Sequence, residues 1–201
     1  MNIPILDQSV QRVVRLGMDV AAAKAGLEAA VARNEVPGGV AVIGDRDAIF
    51  PVTACGVTRL GGPTVTAETR YDLASLSKVV GTLPAVLTLI NAGELSLESP
   101  VKRFFSQAGW FQTPSLGEVT LSGLLTHSSG LPAWKPLYAT ASTRLTALGN
   151  VLGTALEHPA GRVVYSDLGF MLLGAVVERV SGVRLGEFTR CLLYTSDAAA
   201  T

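Results

Sequence analysis

The sequence predicts an α+β protein, with one β-hairpin in its first third, a helical segment before it and several helices after it. Three observations carry that prediction. Apolar side chains recur at helical spacing between residues 9 and 36. The stretch "GVAVIGDRDAIFPVTACGV", residues 39–57, places two β-rich runs on either side of a polar turn. Downstream of residue 70, four apolar stretches come with helix caps or stops.

In the first segment Val13, Val14, Leu16, Val20, Leu27, Ala30 and Val31 form the stripe, interrupted at Gly17, so one long helix or two short ones fit it. Pro37, Gly38 and Gly39 end it, and the hairpin follows with its turn at Asp45, Arg46 and Asp47. A Gly/Pro/Thr loop over 61–69 leads through an extended piece, Tyr71 to Ala74, into an apolar run that stops at Gly93, where a C-terminal glycine belongs. Pro84 inside that run should kink it or mark a join between two segments.

Residues 94–118 are rich in turn formers and lack periodicity, so a connection over the surface is expected there. Thr120 should cap a short helix closed by a turn from Ser128 to Pro132. Residues 140–157 read as a weakly amphipathic helix ended by His158, Pro159 and Gly161. A last helix should run from Leu168 to about Val180, capped by Asp167 and stopped at Gly182.

With 201 residues, 48% hydrophobic and 16% charged, the chain can bury a sizeable core, as one globular unit or two intertwined lobes. Sixteen basic and sixteen acidic residues cancel and form no runs, which argues against a nucleic-acid groove or a polybasic membrane anchor. Small-molecule partners are expected, with the oligomeric state open. No window reaches the roughly 18 apolar residues of a membrane span. The N-terminal "MNIPILDQSVQRVVRLGMD" lacks the pattern of a secretion signal, so a cytoplasmic protein is expected, or a periplasmic one if that N-terminus is incomplete. Cys55, Cys191, His127 and His158 show no metal-ligand spacing, and neither a disulfide nor a metal is assigned.

The chemistry concentrates in "YDLASLSKVVGTL", residues 71–83. On a helix Ser75 and Lys78 share a face at a Cβ separation of about 5–6 Å and could hydrogen-bond. A free lysine, with a pKa of about 10.4, holds its proton at neutral pH. Burial should lower that value and let the amine accept the serine proton, while the helix N-terminus favours a developing oxyanion. Spacing alone does not identify the pair, because Ser99 and Lys102 match it within the turn-rich connection.

Together with "LLTHSSGLP" at 124–132, "PAGRVVYSDLGFMLLGAVVERVSG" at 159–182 and the preceding hairpin, Ser75, Leu76, Ser77 and Lys78 closely resemble the beta-lactamase-related serine hydrolases. That family includes class C beta-lactamases, D-Ala-D-Ala carboxypeptidases and related esterases. The resemblance, over about residues 35–190, implies helices packed on an antiparallel sheet plus a helical lobe. It would divide the chain into an α/β lobe over about 1–95 that carries the nucleophile and a mainly helical lobe over about 96–190.

By the same resemblance Ser75 is the nucleophile that becomes acylated, Lys78 its proton acceptor, and Tyr165 the second-motif tyrosine that shuttles a proton to the leaving group; Lys78 and Tyr165 would titrate as a unit, which leaves the base open between them. No cofactor is implied. Asp167 replaces the asparagine more usual in that motif. An ionised aspartate only accepts hydrogen bonds, which tilts the expected substrate from a beta-lactam or peptide towards a simple ester, with Asp167 as a substrate-binding candidate. The same acyl-enzyme pattern leaves beta-lactamase, D-Ala-D-Ala carboxypeptidase and a non-catalytic penicillin-recognising or scaffold protein as alternatives. His127 is expected to belong to a structural turn, and Trp110 and Trp134 are assigned to packing.

The family's third motif, Lys-Thr-Gly or His-x-Gly, has no counterpart, since no lysine follows Lys135 and no histidine follows His158. The stretch "CLLYTSDAA", 191–199, resembles translated sequencing-adapter sequence, so 191–201 is expected to be a non-native tail. On these grounds the chain is expected to be an N-terminal fragment, cut before the C-terminal strands, inactive and prone to aggregate by itself.

Overall fold

The computed structural model describes residues 20–44, 49, 53–105 and 114–198. The chain forms two compact units, residues 1–72 and 73–201. Ser75 stands in the second of them.

In the first unit, helix α1 (Val20–Ala32) packs on a two-stranded antiparallel sheet of β1 (Gly38–Ala41) and β2 (Thr53–Gly56). The register pairs Gly38 with Gly56 and Ala41 with Thr53, and an isolated bridge joins Gly44 to Ile49. The expected hairpin is thus present. Its turn at Asp45 to Asp47, and the part of the N-terminal stripe before Val20, lie outside the described residues.

The second unit is helical. A π-helical turn (Lys78–Thr82) continues directly into α2 (Leu83–Asn91), and Pro84, which has no N–H to give to the preceding turn, sits in the first turn of α2. Pro84 accordingly marks a join. Short helices α3 (Lys102–Phe105), α4 (Pro114–Gly117), α5 (Leu121–Leu125) and α6 (Leu137–Thr140) follow, then α7 (Arg144–Leu152), α8 (Asp167–Ser181) and α9 (Leu185–Ala198). Gly93 and Gly182, with φ of 78° and 75°, end α2 and α8 as expected.

Helix α8 is the centre of this unit. It packs against α2, α5, α7, α9 and the π-helical turn, burying Leu168, Leu172, Leu173, Val176 and Val177. Each such side chain contributes about 1.5–3 kcal/mol of transfer free energy.

Four expectations change. The segment 94–118 is no mere surface connection: Leu95, Val101, Phe104, Phe105 and Leu116 are buried in the common core. Its one-turn helices are too short to show a period. The helix expected over 140–157 is α7, which starts from a capping box of Thr143 and Thr146 and ends at Gly153. The cap of α8 is Ser166, whose hydroxyl accepts from Gly169 N–H, and Asp167 is the first helical residue. Trp134, assigned to packing, is 60% exposed, and Trp110 lies outside the described residues.

Candidate active site

Ser75 stands in the turn that opens the π-helical segment. Leu76 N–H donates to Leu73 O, Ser77 N–H to Ala74 O and Lys78 N–H to Ser75 O, and the Ser77 hydroxyl donates to Ala74 O at 2.6 Å. These tight turns hold Ala74 at φ 44°, a left-handed conformation that an L-residue adopts only under local constraint. The constraint falls on the residue just before the serine.

Lys78 Nζ donates to Ser75 Oγ at 3.0 Å, as the spacing predicts, and lies 2.7 Å from Asp167 Oδ1. It also sits 4.9 Å from the centroid of the Tyr165 ring. The structure thus brings Ser75, Lys78, Tyr165 and Asp167 into one cluster, drawn from the π-helical turn and the entry to α8. The matching pair at Ser99 and Lys102 has other partners: Ser99 is buried and accepts from Arg103, while Lys102 pairs with Glu118.

The electrostatics of the cluster correct one expectation. Burial disfavours the Lys78 ammonium, but the Asp167 carboxylate and the Tyr165 phenol more than offset it, and the lysine pKa is raised rather than lowered. Tyr165 moves the other way. Hydrogen bonding to Ser75 and then to Lys78, with the lysine's charge, holds its phenol below the usual value. The lysine thus holds its proton more tightly than a free lysine, and the tyrosine less tightly than a free phenol.

A residue read only as part of a turn proves central. His127, at φ 57°, accepts from Ser166 N–H through Nδ1 at 3.0 Å and from Val164 N–H through its carbonyl at 2.8 Å. Its ring lies against Tyr165, with centroids 4.5 Å apart, and against Phe170 at 5.2 Å. Ser166 Oγ donates to Pro132 O at 2.7 Å, and Asp167 N–H to Ala133 O at 2.8 Å. The chain on both sides of Tyr165 is thereby laid along the 127–133 turn. The only sequence signal was "HSSG" itself, whose partners lie far downstream.

A cavity of about 900 Å³ opens from Ser75, Lys78 and Asp167 towards an apolar wall that includes Leu148, Phe170 and Met171. Among the described residues no group of three or more His, Cys, Asp or Glu could hold a metal ion, and no helix is long and apolar enough to cross a membrane.

A protein of Escherichia coli strain K12, provisionally named a D-alanyl-D-alanine carboxypeptidase, is 32% identical over 143 residues, 64% of this chain and 32% of its own length. A class C beta-lactamase from Rhodobacter sphaeroides superposes with a TM-score of 0.68 at 26% identity, over 87% of this chain and 48% of that one. An octameric penicillin-binding protein homologue from Pyrococcus abyssi gives 0.64 at 28% identity, over 86% and 42%. The chain spans about a third of the length of the curated relatives it matches. The fold is the beta-lactamase-like α+β fold. Since the family model described as Beta-lactamase matches residues 14–196, the chain belongs to the beta-lactamase family.

Proposed function

We propose that this sequence carries the acylation half of a serine hydrolase that works through a covalent acyl-enzyme. The observation that supports it most is Lys78 Nζ placed at once 3.0 Å from Ser75 Oγ and 2.7 Å from Asp167 Oδ1, with the Tyr165 phenol interacting with both Ser75 and Lys78. Tyr165, as phenolate, takes the Ser75 proton while Oγ bonds to the substrate's acyl carbon. Lys78 remains an ammonium and stabilises the phenolate before transfer. As the tetrahedral intermediate collapses, the bond to the leaving group breaks and Tyr165 returns the proton to it. Water then repeats the sequence in place of the serine, releasing a carboxylic acid and free Ser75.

Small esters are the preferred substrates in this reading. Asp167 directs one carboxylate oxygen at Lys78 and has no proton to offer a substrate amide carbonyl, whereas an ester needs no such donor. A second reading, D-Ala-D-Ala carboxypeptidase, is favoured by the names of the matched relatives.

The test uses the longest native chain containing this sequence, incubated with p-nitrophenyl acetate, a fluorescent penicillin and a D-Ala-D-Ala peptide. Ester turnover lost on Ser75→Ala supports the reading, and D-alanine release above ester turnover favours the peptidase. Stable penicillin labelling without turnover would point to a recognition protein. Turnover that survives Ser75→Ala would remove Ser75 as the nucleophile.

A further inference from the structure

We propose that His127 is a positioning residue for Tyr165: it receives the main-chain N–H groups on either side of the tyrosine and stacks on its ring, holding the phenol at Ser75 and Lys78. The inference rests on the reading of Tyr165 as the proton carrier.

Three contacts converge on this one side chain and its carbonyl. Val164 N–H and Ser166 N–H, which flank Tyr165, donate to His127 O and His127 Nδ1, and the two rings lie 4.5 Å apart. Tyr165 is 50% exposed, so burial in the core does not immobilise it. The placement of its hydroxyl depends on this clamp. The left-handed backbone at residue 127 is what lets the carbonyl and the ring of a single residue reach both neighbours of the tyrosine.

The clamp works in one protonation state. An acceptor at Nδ1 requires a neutral imidazole, and a proton there would set two N–H groups against each other. The charged and titratable groups around the ring are Lys78 on the π-helical turn, Asp167 at the start of α8 and Tyr165 itself. Burial and the Lys78 charge disfavour the imidazolium, while Asp167 partly opposes them, and the net pKa lies below the ordinary histidine value. The clamp therefore holds at neutral pH and opens in acid.

Two substitutions separate this role from simple support. In His127→Asn the side-chain oxygen can stand where Nδ1 stood, and asparagine tolerates the left-handed backbone. His127→Phe keeps a ring and loses the acceptor. With p-nitrophenyl acetate as probe, kcat should fall about a hundredfold in the phenylalanine variant with KM little changed, as for a misplaced catalytic group. The asparagine variant should recover part of kcat, and its acid limb, set by Tyr165 alone, should fall less steeply than that of the wild type, which also loses the clamp in acid. If the phenylalanine variant does not fold, the pH profile of the asparagine variant decides. Wild-type kcat and an acid limb as steep as the wild type's, with only a lower Tm, would overturn the inference. Tyr165→Phe is measured in parallel. Turnover that survives it removes the proton-carrier reading and this inference together, whereas turnover lost there but kept in both His127 variants removes the inference alone.

Discussion

Lys78 Nζ lies 2.7 Å from Asp167 Oδ1, so the first residue of α8 supplies a carboxylate to the lysine that follows Ser75 by one turn. The lysine side chain is 14% exposed and the aspartate 46%, which places the pair between a buried and a surface ion pair. Burial disfavours the ammonium, and hydrogen bonding to this carboxylate and to the Tyr165 phenol more than offsets it, so the lysine pKa is raised.

Asp167→Asn tests that relationship. Because the pair is half exposed, removing it should cost about 1 kcal/mol or less at neutral pH by urea unfolding. The lysine pKa is raised in the folded state, so this contribution is complete below the unfolded value of about 10.4 and is lost as pH rises through the higher folded value. The alkaline limb of turnover should move to lower pH in the variant. An alkaline limb that stays in place would mean that Asp167 does not hold the lysine's proton.

Tyr165 should ionise below the value of about 10 of a free phenol. The difference between the ultraviolet pH titrations of the wild type and Tyr165→Phe isolates it from the other three tyrosines. A lowered pKa favours the folded state above the unfolded value, and that advantage disappears as pH falls through the folded one. A difference titration centred at or above 10 would contradict the proton-acceptor role.

Ser166→Ala and Asp167→Ala should differ in stability. Ser166 is buried, donates to Pro132 O and accepts from Gly169 N–H, so its loss removes both a cap and a buried hydrogen bond, about 1–3 kcal/mol. Asp167 has no capping hydrogen bond to lose, and Asp167→Ala should cost less. Chemical denaturation of the two variants side by side checks the order, and the reverse order would return the cap to Asp167.

Gly130→Ala should be among the more damaging single changes in the 127–133 turn. Gly130 has φ 84°, and an added Cβ would come 2.4 Å from His158 O. The same glycine's carbonyl accepts from Glu157 and His158 N–H, so the backbone cannot relieve the clash without loosening those bonds. A loss of about 2 kcal/mol or more, read from the thermal midpoint, combines left-handed strain with steric overlap.

Most local signals were legible where one turn of chain carries the whole cause, although the cap of α8 fell on Ser166 and not on its neighbour Asp167. Thr120 caps α5 through Gly123 N–H, Gly93 and Gly182 end their helices, Pro84 marks a join, and Ser75 meets Lys78 because residues three apart share a helical face. The ambiguity between Ser75–Lys78 and Ser99–Lys102 was equally local; the downstream motifs of the resemblance favoured Ser75, and the fold agrees by burying Ser99 and giving Lys102 to Glu118. The buried residues of 94–118 escaped periodicity because α3 and α4 are four residues each.

The sequence by itself determined the Ser75–Lys78 spacing and the glycines that stop α2 and α8, since each depends on near neighbours along the chain. Tertiary structure alone decided what state those groups hold. Asp167 reaches Lys78 only once α8 packs on the π-helical turn, and His127 reaches both sides of Tyr165 only once the 127–133 turn meets the entry to α8. A pKa is set by the charges and donors within a few ångströms, and those neighbours come from segments that no local pattern joins.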